Sequence, residues 1–373
     1  MPKLVWLHGL YRTAVVRGYG GGERSSYMRS LLSELTGLEV LDVFYKRPFK
    51  RASGESIGLE LAFSWPTVLK RASLKALRSL LGSRNALEVR FLSPSRKGLT
   101  ALLSSVEDDD VVVLDGLKGF TMIKPVSAEL GKRAGSIIYL SHNFEADYFR
   151  GPRGWVLKAE EEAVRASDLV IAASVRDAVR YRMALGVGEE KMAVFPNVYP
   201  VEFRPLDKAG ELTMAVLAGS SARVLRPLVL EIVEQGLVKA LIYVGSGFPP
   251  GLRASLGDKI IYERFVEERT ALLSLISRAH VGLNYGEWLG GSSVKKFDYA
   301  LAGLAILSLG TGHRGEYLPG EIACTDIYDL MAKLGQFGVS DLMELGHANR
   351  LAVLEYHRRA VEELKAKLRA LGL

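Results

Sequence analysis

Short apolar runs alternate with helix-like stretches along most of this chain. Leu4–Leu7, Leu38–Phe44, Leu87–Leu92, Val111–Leu114, Ser136–Leu140, Leu169–Ala173 and Met192–Phe195 are such runs, several rich in Val and Ile and bounded by Gly, Asp or Ser. Runs of this kind fit strands buried on both faces of a parallel sheet. Segments between them, such as Ser25–Leu35 and Gly154–Ala166, read as helices. Regular β–α alternation predicts a doubly wound α/β domain.

The pattern then restarts. Pro196-Asn197-Val198-Tyr199-Pro200 and the polar stretch to Leu212 break regular structure and read as a linker. Beyond it come Thr213–Leu217, Ala240–Val244, Ile260–Tyr262, Val281–Asn284, Ala305–Ser308 and Ile322–Cys324, with helices fitting over Ala222–Glu234 and Glu267–Arg278. The stretch Asp341–Leu373 reads as one or two charged helices. We therefore expect an N-terminal domain over 1–200, a second α/β domain over 201–345, and a C-terminal helix over 346–373 packing back on the first domain. Two such domains present a cleft at the carboxyl ends of their strands, where ligands of these folds sit.

Composition narrows the partners. The chain of 373 residues carries a formal charge of +7. Such a surface favours phosphate-bearing ligands, anionic membranes or nucleic acid. No zinc knuckle, RRM motif or interleaved basic-aromatic repeat is present, so no nucleic-acid partner is expected. The single cysteine, Cys324, reads as a small buried residue and requires no oxidising compartment. The N-terminus lacks the pattern of a signal peptide, and no run approaches the roughly 20 apolar residues of a membrane span. A cytoplasmic protein, soluble or peripheral at the inner face of the membrane, is expected. Gln occurs only at Gln235 and Gln336 amid abundant Arg, Lys and Glu, a bias like that of thermophile proteins.

Four junctions carry candidate chemistry. Gly20-Gly21-Gly22-Glu23-Arg24-Ser25 precedes the helix after the first strand. It reads either as a tight turn or as a close backbone approach to a ligand, with the helix N–H groups offered to an anion. Ser141-His142-Asn143-Phe144-Glu145 follows an apolar strand and puts an imidazole at its carboxyl end. His142 there either binds a sugar hydroxyl or moves a proton, or is a satisfied structural histidine. Gly219-Ser220-Ser221-Ala222-Arg223-Val224-Leu225-Arg226 is a loop-to-helix junction with two arginines, side chains suited to phosphate. Gly290-Gly291-Ser292-Ser293-Val294-Lys295-Lys296-Phe297-Asp298 starts another helix. Its N–H groups and hydroxyls suit a diphosphate, with Lys295 or Lys296 adding charge and Asp298 placed for ribose hydroxyls. Asp108-Asp109-Asp110 reads as a solvated turn before a strand, not as a metal site.

Between Tyr45 and Lys97, lysines and arginines face only Glu55, Glu60 and Glu88. Pro66–Leu81 fits a basic amphipathic helix, with Lys70, Arg71, Lys75 and Arg78 on one side and Val68, Leu69, Ala72, Ala76 and Leu80 on the other. Such a helix either lies on an anionic membrane or packs on the first domain with its bases in water.

Taken together and in order, these blocks resemble the GT-B glycosyltransferases, specifically the GT4-like (glycosyltransferase group 1) family. Gly21-Gly22-Glu23-Arg24, Ser141–Glu145, Glu160–Ser174 (EEEAVRASDLVIAAS), Val194-Phe195-Pro196-Asn197-Val198 and Gly291–Ile306 (GSSVKKFDYALAGLAI) match the family's blocks in sequence order. The resemblance covers nearly the whole chain. It implies two Rossmann-like domains and transfer of a sugar, with retention, from a nucleotide-diphosphate sugar to a glycan or lipid-linked acceptor, with no obligatory metal or other cofactor. It gives catalytic roles to His142, Arg223 and Lys295. Donor contacts fall on Gly21, Gly22, Gly219, Arg226, Gly291, Ser292, Ser293 and Asp298, and acceptor-side contacts on Glu23, Asn143 and Glu145.

The chain also departs from the family. Of two glutamates usual in the donor loop, the first falls on Gly290 and the second on Asp298, and the usual proline is Ala305. The missing first glutamate keeps open a catalytically idle sugar-nucleotide-binding protein. A GT-B sugar-nucleotide epimerase is the other alternative.

Overall fold

The computed structural model describes residues 1–8, 20–46, 56–63, 92–94, 96–148, 153–208, 210–218, 222–249, 251–286, 292–312 and 317–373. The chain divides into two compact units, residues 1–195 with 360–373, and residues 196–359.

Unit 1 contains β1 (Lys3–His8), β2 (Glu39–Lys46), β3 (Ser56–Phe63), β4 (Leu92–Pro94), β5 (Val111–Asp115), β6 (Ser136–Leu140), β7 (Leu169–Ala172) and β8 (Met192–Val194). They form one sheet in the order β4-β3-β2-β1-β5-β6-β7-β8, parallel except for β3 against β4. The central strands are buried at nearly every position, and their side chains alternate between two cores. Val5, Leu7, Val112, Leu114 and Tyr139 enter one, and Leu4, Trp6, Val113, Ile138 and Ile171 the other. That is the two-residue period of a strand covered on both faces, and burying each such side chain contributes about 1.5–3 kcal/mol.

Unit 2 repeats the design with β9 (Thr213–Leu217), β10 (Ala240–Val244), β11 (Ile260–Glu263), β12 (Val281–Gly286), β13 (Ala305–Gly310) and β14 (Glu321–Cys324). Their order is β11-β10-β9-β12-β13-β14, with every pairing parallel. Met214, Val216 and Leu241 face one core, and Ala215, Leu217 and Ile242 the other.

The structure differs from the sequence reading at several places. The three glycines do not form a turn before the helix, because that helix begins at Gly20 and runs to Thr36. Strand β3 was not expected, since Gly58 and Glu60 interrupt its apolar run. Of the expected run Leu87–Leu92 only Leu92, the first residue of β4, is described; residues 64–91, including the helix expected over Pro66–Leu81, lie outside the described residues. Asp110 is not solvated. It is buried and accepts the backbone N–H groups of Lys3 and Glu107, each at 2.9 Å, which ties the start of β1 to the turn before β5.

Pro196–Pro200 belongs to unit 2, where Val198 enters the core. The C-terminal segment is one continuous helix, Val339–Ala370. Its last turns bury Ala360, Leu364 and Leu368 in unit 1, where the Lys367 ammonium donates to the Glu189 carbonyl at 2.7 Å. No helix among the described residues is long and apolar enough to cross a membrane.

Candidate active site

In unit 1 the strand order reverses between β1 and β5, and ligands of doubly wound folds bind outside the carboxyl ends of the strands at such a point. His8 closes β1 and Asp115 closes β5. Asp115 is 1% exposed and accepts three hydrogen bonds, from the Trp6 indole N–H at 3.2 Å, the Ser25 hydroxyl at 2.9 Å and His142 Nε2 at 2.7 Å. Burial alone would raise its pKa, but the hydrogen bonds and charges of His142 and His8 outweigh burial and hold the carboxyl well below the usual range. Next to it, Gly116 has φ +70°, and a Cβ there would lie 2.8 Å from His142 Cδ2. Glycine is therefore needed twice over, for the backbone conformation and to admit the imidazole.

The loop that carries His142 is bound along its length. Ser141 Oγ donates to the Asn143 carbonyl at 2.7 Å and lies 2.8 Å from the Tyr181 hydroxyl, which is itself 2.7 Å from Glu160 Oε1. Phe144 N–H donates to Asp177, and the N–H groups of Glu145 and Ala146 donate to the two oxygens of Glu160 at 2.8 and 2.9 Å. Arg180 grips Asp147 with two bonds, at 2.8 and 2.9 Å. His142, 18% exposed, is thus held between a fixed loop and a fixed carboxylate.

Two buried carboxyls lie under this loop. Burial pushes Glu145 up to about 7, against the charges of His142 and Lys118. Burial, with the charge of Glu145 added, pushes Glu160 up to about 8. Both titrate near neutral pH, where proton exchange is most effective.

Arg24 is buried, and its guanidinium donates to the carbonyls of Ser141, Phe195 and Ile171 at the carboxyl edge of the sheet. It pins the first turn of helix Gly20–Thr36, with Gly21, Gly22 and Glu23, to that edge.

In unit 2 the strand order reverses between β9 and β12. Gly219, after β9, and Gly291, after β12, lie outside the described residues. Ser292 and Ser293 start helix Val294–Leu301. Ser292 is buried; its carbonyl accepts from Asn197 Nδ2 at 2.8 Å and its hydroxyl from Asn197 N–H at 3.3 Å. The Ser293 hydroxyl caps the helix by accepting from Lys296 N–H and donates to Asn284 Oδ1 at 3.2 Å.

Lys295 is half-buried, whereas Lys296 is fully buried against Glu321 at 3.0 Å. Lys296 is therefore an internal ion pair and not a charge offered at the edge. Asp298 is buried against the Arg269 guanidinium, whose Nε donates to the Tyr199 carbonyl at 3.0 Å. Burial raises the Asp298 carboxyl above its ordinary value despite Arg269 and Lys295. Arg223 and Arg226 are exposed, and Arg226 Nε donates to the Gly247 carbonyl.

The structure thus brings His142, Asn143 and Glu145 together on one loop of unit 1, and Ser292, Ser293, Lys295 and Asp298 around one helix start of unit 2. Sequence reasoning missed Asp115, Gly116 and Arg269, and took Asn197 for part of a linker. A signal for Asp115 was present: a polar residue closes an apolar strand and a glycine follows, as with His8 in Leu4–Gly9.

No family model matches the chain, and no curated protein matches its sequence. Solved structures do match. Anabaena Alr3699/HepE, solved with UDP and glucose, aligns with 98% of this chain and 100% of its own, at TM-score 0.63 and 11% identity. A UDP-forming α,α-trehalose-phosphate synthase from Burkholderia xenovorans, solved with glucose-6-phosphate, aligns with 100% of each chain at TM-score 0.60 and 15% identity. A variant of S. aureus TarM, whose complex includes UDP, aligns with 73% of this chain at TM-score 0.55 and 12% identity, and the match spans 57% of TarM's length. With its two doubly wound, parallel-stranded units, the chain has the GT-B fold of these glycosyltransferases.

Proposed function

We propose that this protein is a GT4-like, retaining glycosyltransferase that moves a sugar from a nucleoside-diphosphate donor to a glycan acceptor. The bond from the anomeric carbon to the phosphate oxygen breaks, and the acceptor oxygen bonds to that carbon. The acceptor's proton ends on the leaving diphosphate. The observation that carries the reading is the Asp115–His142 pair at the strand-order reversal of unit 1, 2.7 Å apart, in a fold whose solved examples hold UDP. Asp115 as a carboxylate can only accept, so His142 donates from Nε2 and Nδ1 is the ring's acceptor for a sugar hydroxyl.

In unit 2 the start of helix Val294–Leu301, with Ser292, Ser293 and Lys295, suits the departing diphosphate, and Arg223 and Arg226 add charge. No metal is assigned a role, so turnover in excess EDTA is expected to equal turnover without it. The acceptor in this reading is lipid-linked, and the basic stretch from Tyr45 to Lys97 meets anionic headgroups. Flotation with vesicles, indifferent to anionic lipid, would remove that part.

The deciding experiment is thermal shift and donor turnover with UDP-glucose, GDP-mannose and ADP-glucose, each beside its free nucleotide. One donor should raise the melting temperature by mass action. His142→Ala should then lower turnover about 10²-fold or more. No stabilisation by any of the three at millimolar concentration would sink the reading.

A further inference from the structure

Behind Asp115 lies a second imidazole that the proposed reaction does not use. His8 is 1% exposed, and its two ring nitrogens face two carboxylates from neighbouring strands. Its Nε2 is 2.9 Å from Asp42 Oδ1 on β2, and its Nδ1 is 3.5 Å from Asp115 Oδ2 on β5. Asp42 in turn receives both Arg29 Nε and Nη2 at 2.8 Å, from helix Gly20–Thr36. The Trp6 ring packs on the same side, its centroid 6.1 Å from that of His8. The groups therefore form a continuous row: Arg29, Asp42, His8, Asp115, His142. Only its two ends, Arg29 and His142, and the Asp42 carboxylate reach solvent.

The two oxygens of Asp115 divide their tasks. Oδ1 takes the Ser25 hydroxyl and His142, while Oδ2 takes the Trp6 indole and faces His8. The indole bond to Oδ2 is long, at 3.2 Å, and His8 is the second group set against that oxygen, on the side of β2.

We infer that His8 is a positioning residue of the transferase site: bridging Asp42 and Asp115, it locks the Asp115 carboxylate and thereby the orientation of the His142 ring. The inference rests on the acceptor-side reading given under Proposed function. Burial disfavours a charged imidazole, but the hydrogen bonds and charges of Asp115 and Asp42 outweigh burial and raise the pKa of His8 above its ordinary value. A cation beside the buried Asp115 carboxylate also compensates a charge held in a low-dielectric site, whereas the half-buried Asp42 has Arg29 as well. His8 acts on the reaction only through Asp115, so its loss should cost rate and leave donor affinity intact.

Two substitutions separate this role from a general contribution to folding. The amide of His8→Asn lies where Nδ1 lies and keeps the contact to Asp115, while that of His8→Gln lies where Nε2 lies and keeps the contact to Asp42. Both remove the imidazole, and both are expected to lower the melting temperature to a similar degree. For turnover of UDP-glucose, GDP-mannose or ADP-glucose, whichever the full chain cleaves, His8→Gln should lower kcat by about a hundredfold, as displacement of a reacting group does, with donor KM unchanged. His8→Asn should keep most of kcat.

A second readout needs no turnover. In the ¹⁵N spectrum of the folded chain, wild type and His8→Asn should show the His142 proton on Nε2, whereas His8→Gln should show a mixture of tautomers. If both variants lose kcat in proportion to their melting temperatures, or if the His142 tautomer is the same in all three proteins, the inference is overturned. If no donor turns over in wild type, the transferase reading fails, and the tautomer comparison alone decides whether His8 positions His142.

Discussion

The two units share a winding but treat charge in opposite ways. At the reversal point of unit 1 the carboxyl edge carries a row of titratable groups, with His8, Asp115 and His142 in contact and Glu145 and Glu160 below them. Around the corresponding helix start of unit 2 the side chains fixed by hydrogen bonds are hydroxyls and amides, Ser292, Ser293, Asn197 and Asn284. Its buried charges are sealed as internal pairs, Lys296 with Glu321 and Arg269 with Asp298. The sheet decides where a ligand can sit, and the residues closing each strand decide what is done there. In the proposed reaction, unit 1 orients hydroxyls and exchanges protons, and unit 2 donates hydrogen bonds to the leaving diphosphate.

The largest expected effect tests that division directly. Asp115→Asn removes the charge and turns one of the two accepting oxygens into a donor, so His142 is no longer held in one tautomer, and turnover should fall by about 10²–10⁴-fold. Nucleotide affinity, measured by titration with UDP, GDP and ADP, should hold within about twofold. An equal loss of both would break the division of labour. Next in size, Lys296→Met leaves Glu321 buried without its cation and should cost about 3–5 kcal/mol in chemical denaturation. Adding Glu321→Leu should restore most of that loss, because an apolar pair of similar volume replaces a buried ion pair at little cost. Failure of the second change to restore stability would show Glu321 serving a role beyond the pair.

A smaller effect concerns pH and belongs to unit 1. Glu145 and Glu160 have pKa values raised to about 7 and about 8, chiefly by burial, from an ordinary 4.5. The unfolded chain gives up these protons first, so this contribution to stability is complete below about 4.5 and is lost as pH rises toward 8. Glu160→Gln should therefore flatten the fall in stability between pH 5 and pH 8, read from denaturation midpoints. An unchanged slope would mean that these carboxyls ionise in the folded protein as they do in water. The smallest effect is at the helix cap of unit 2: Ser293→Ala should cost about 1 kcal/mol. A much larger loss of nucleotide affinity than of stability in that variant would place Ser293 on the ligand itself.

The fold was largely legible because its signal is local. Val111–Asp115 and Ser136–Leu140 are apolar at nearly every position, and burial on both faces requires nothing else of a strand. Strand β3 escaped because Gly58 and Glu60 break its run, and its place is set by pairing with β2. Of the candidate site, the positions of His142, after a strand, and Ser293, at a helix start, could be read because the local pattern reveals those junctions. The pairing of Asp298 with Arg269 could not be read, because Arg269 stands on another helix.

By itself the sequence determined most of the strands and helices, the repeat of one design and the strand-to-helix junctions, all set by periodicity and chain-breaking residues within a few positions. Only the tertiary structure decided which polar groups meet. Asp115 and His142 are 27 residues apart, Asp42 and His8 34, and Asn197 and Ser292 95. The reason is physical. A buried polar group must find a partner, but the sheet order, not the local sequence, brings that partner within reach.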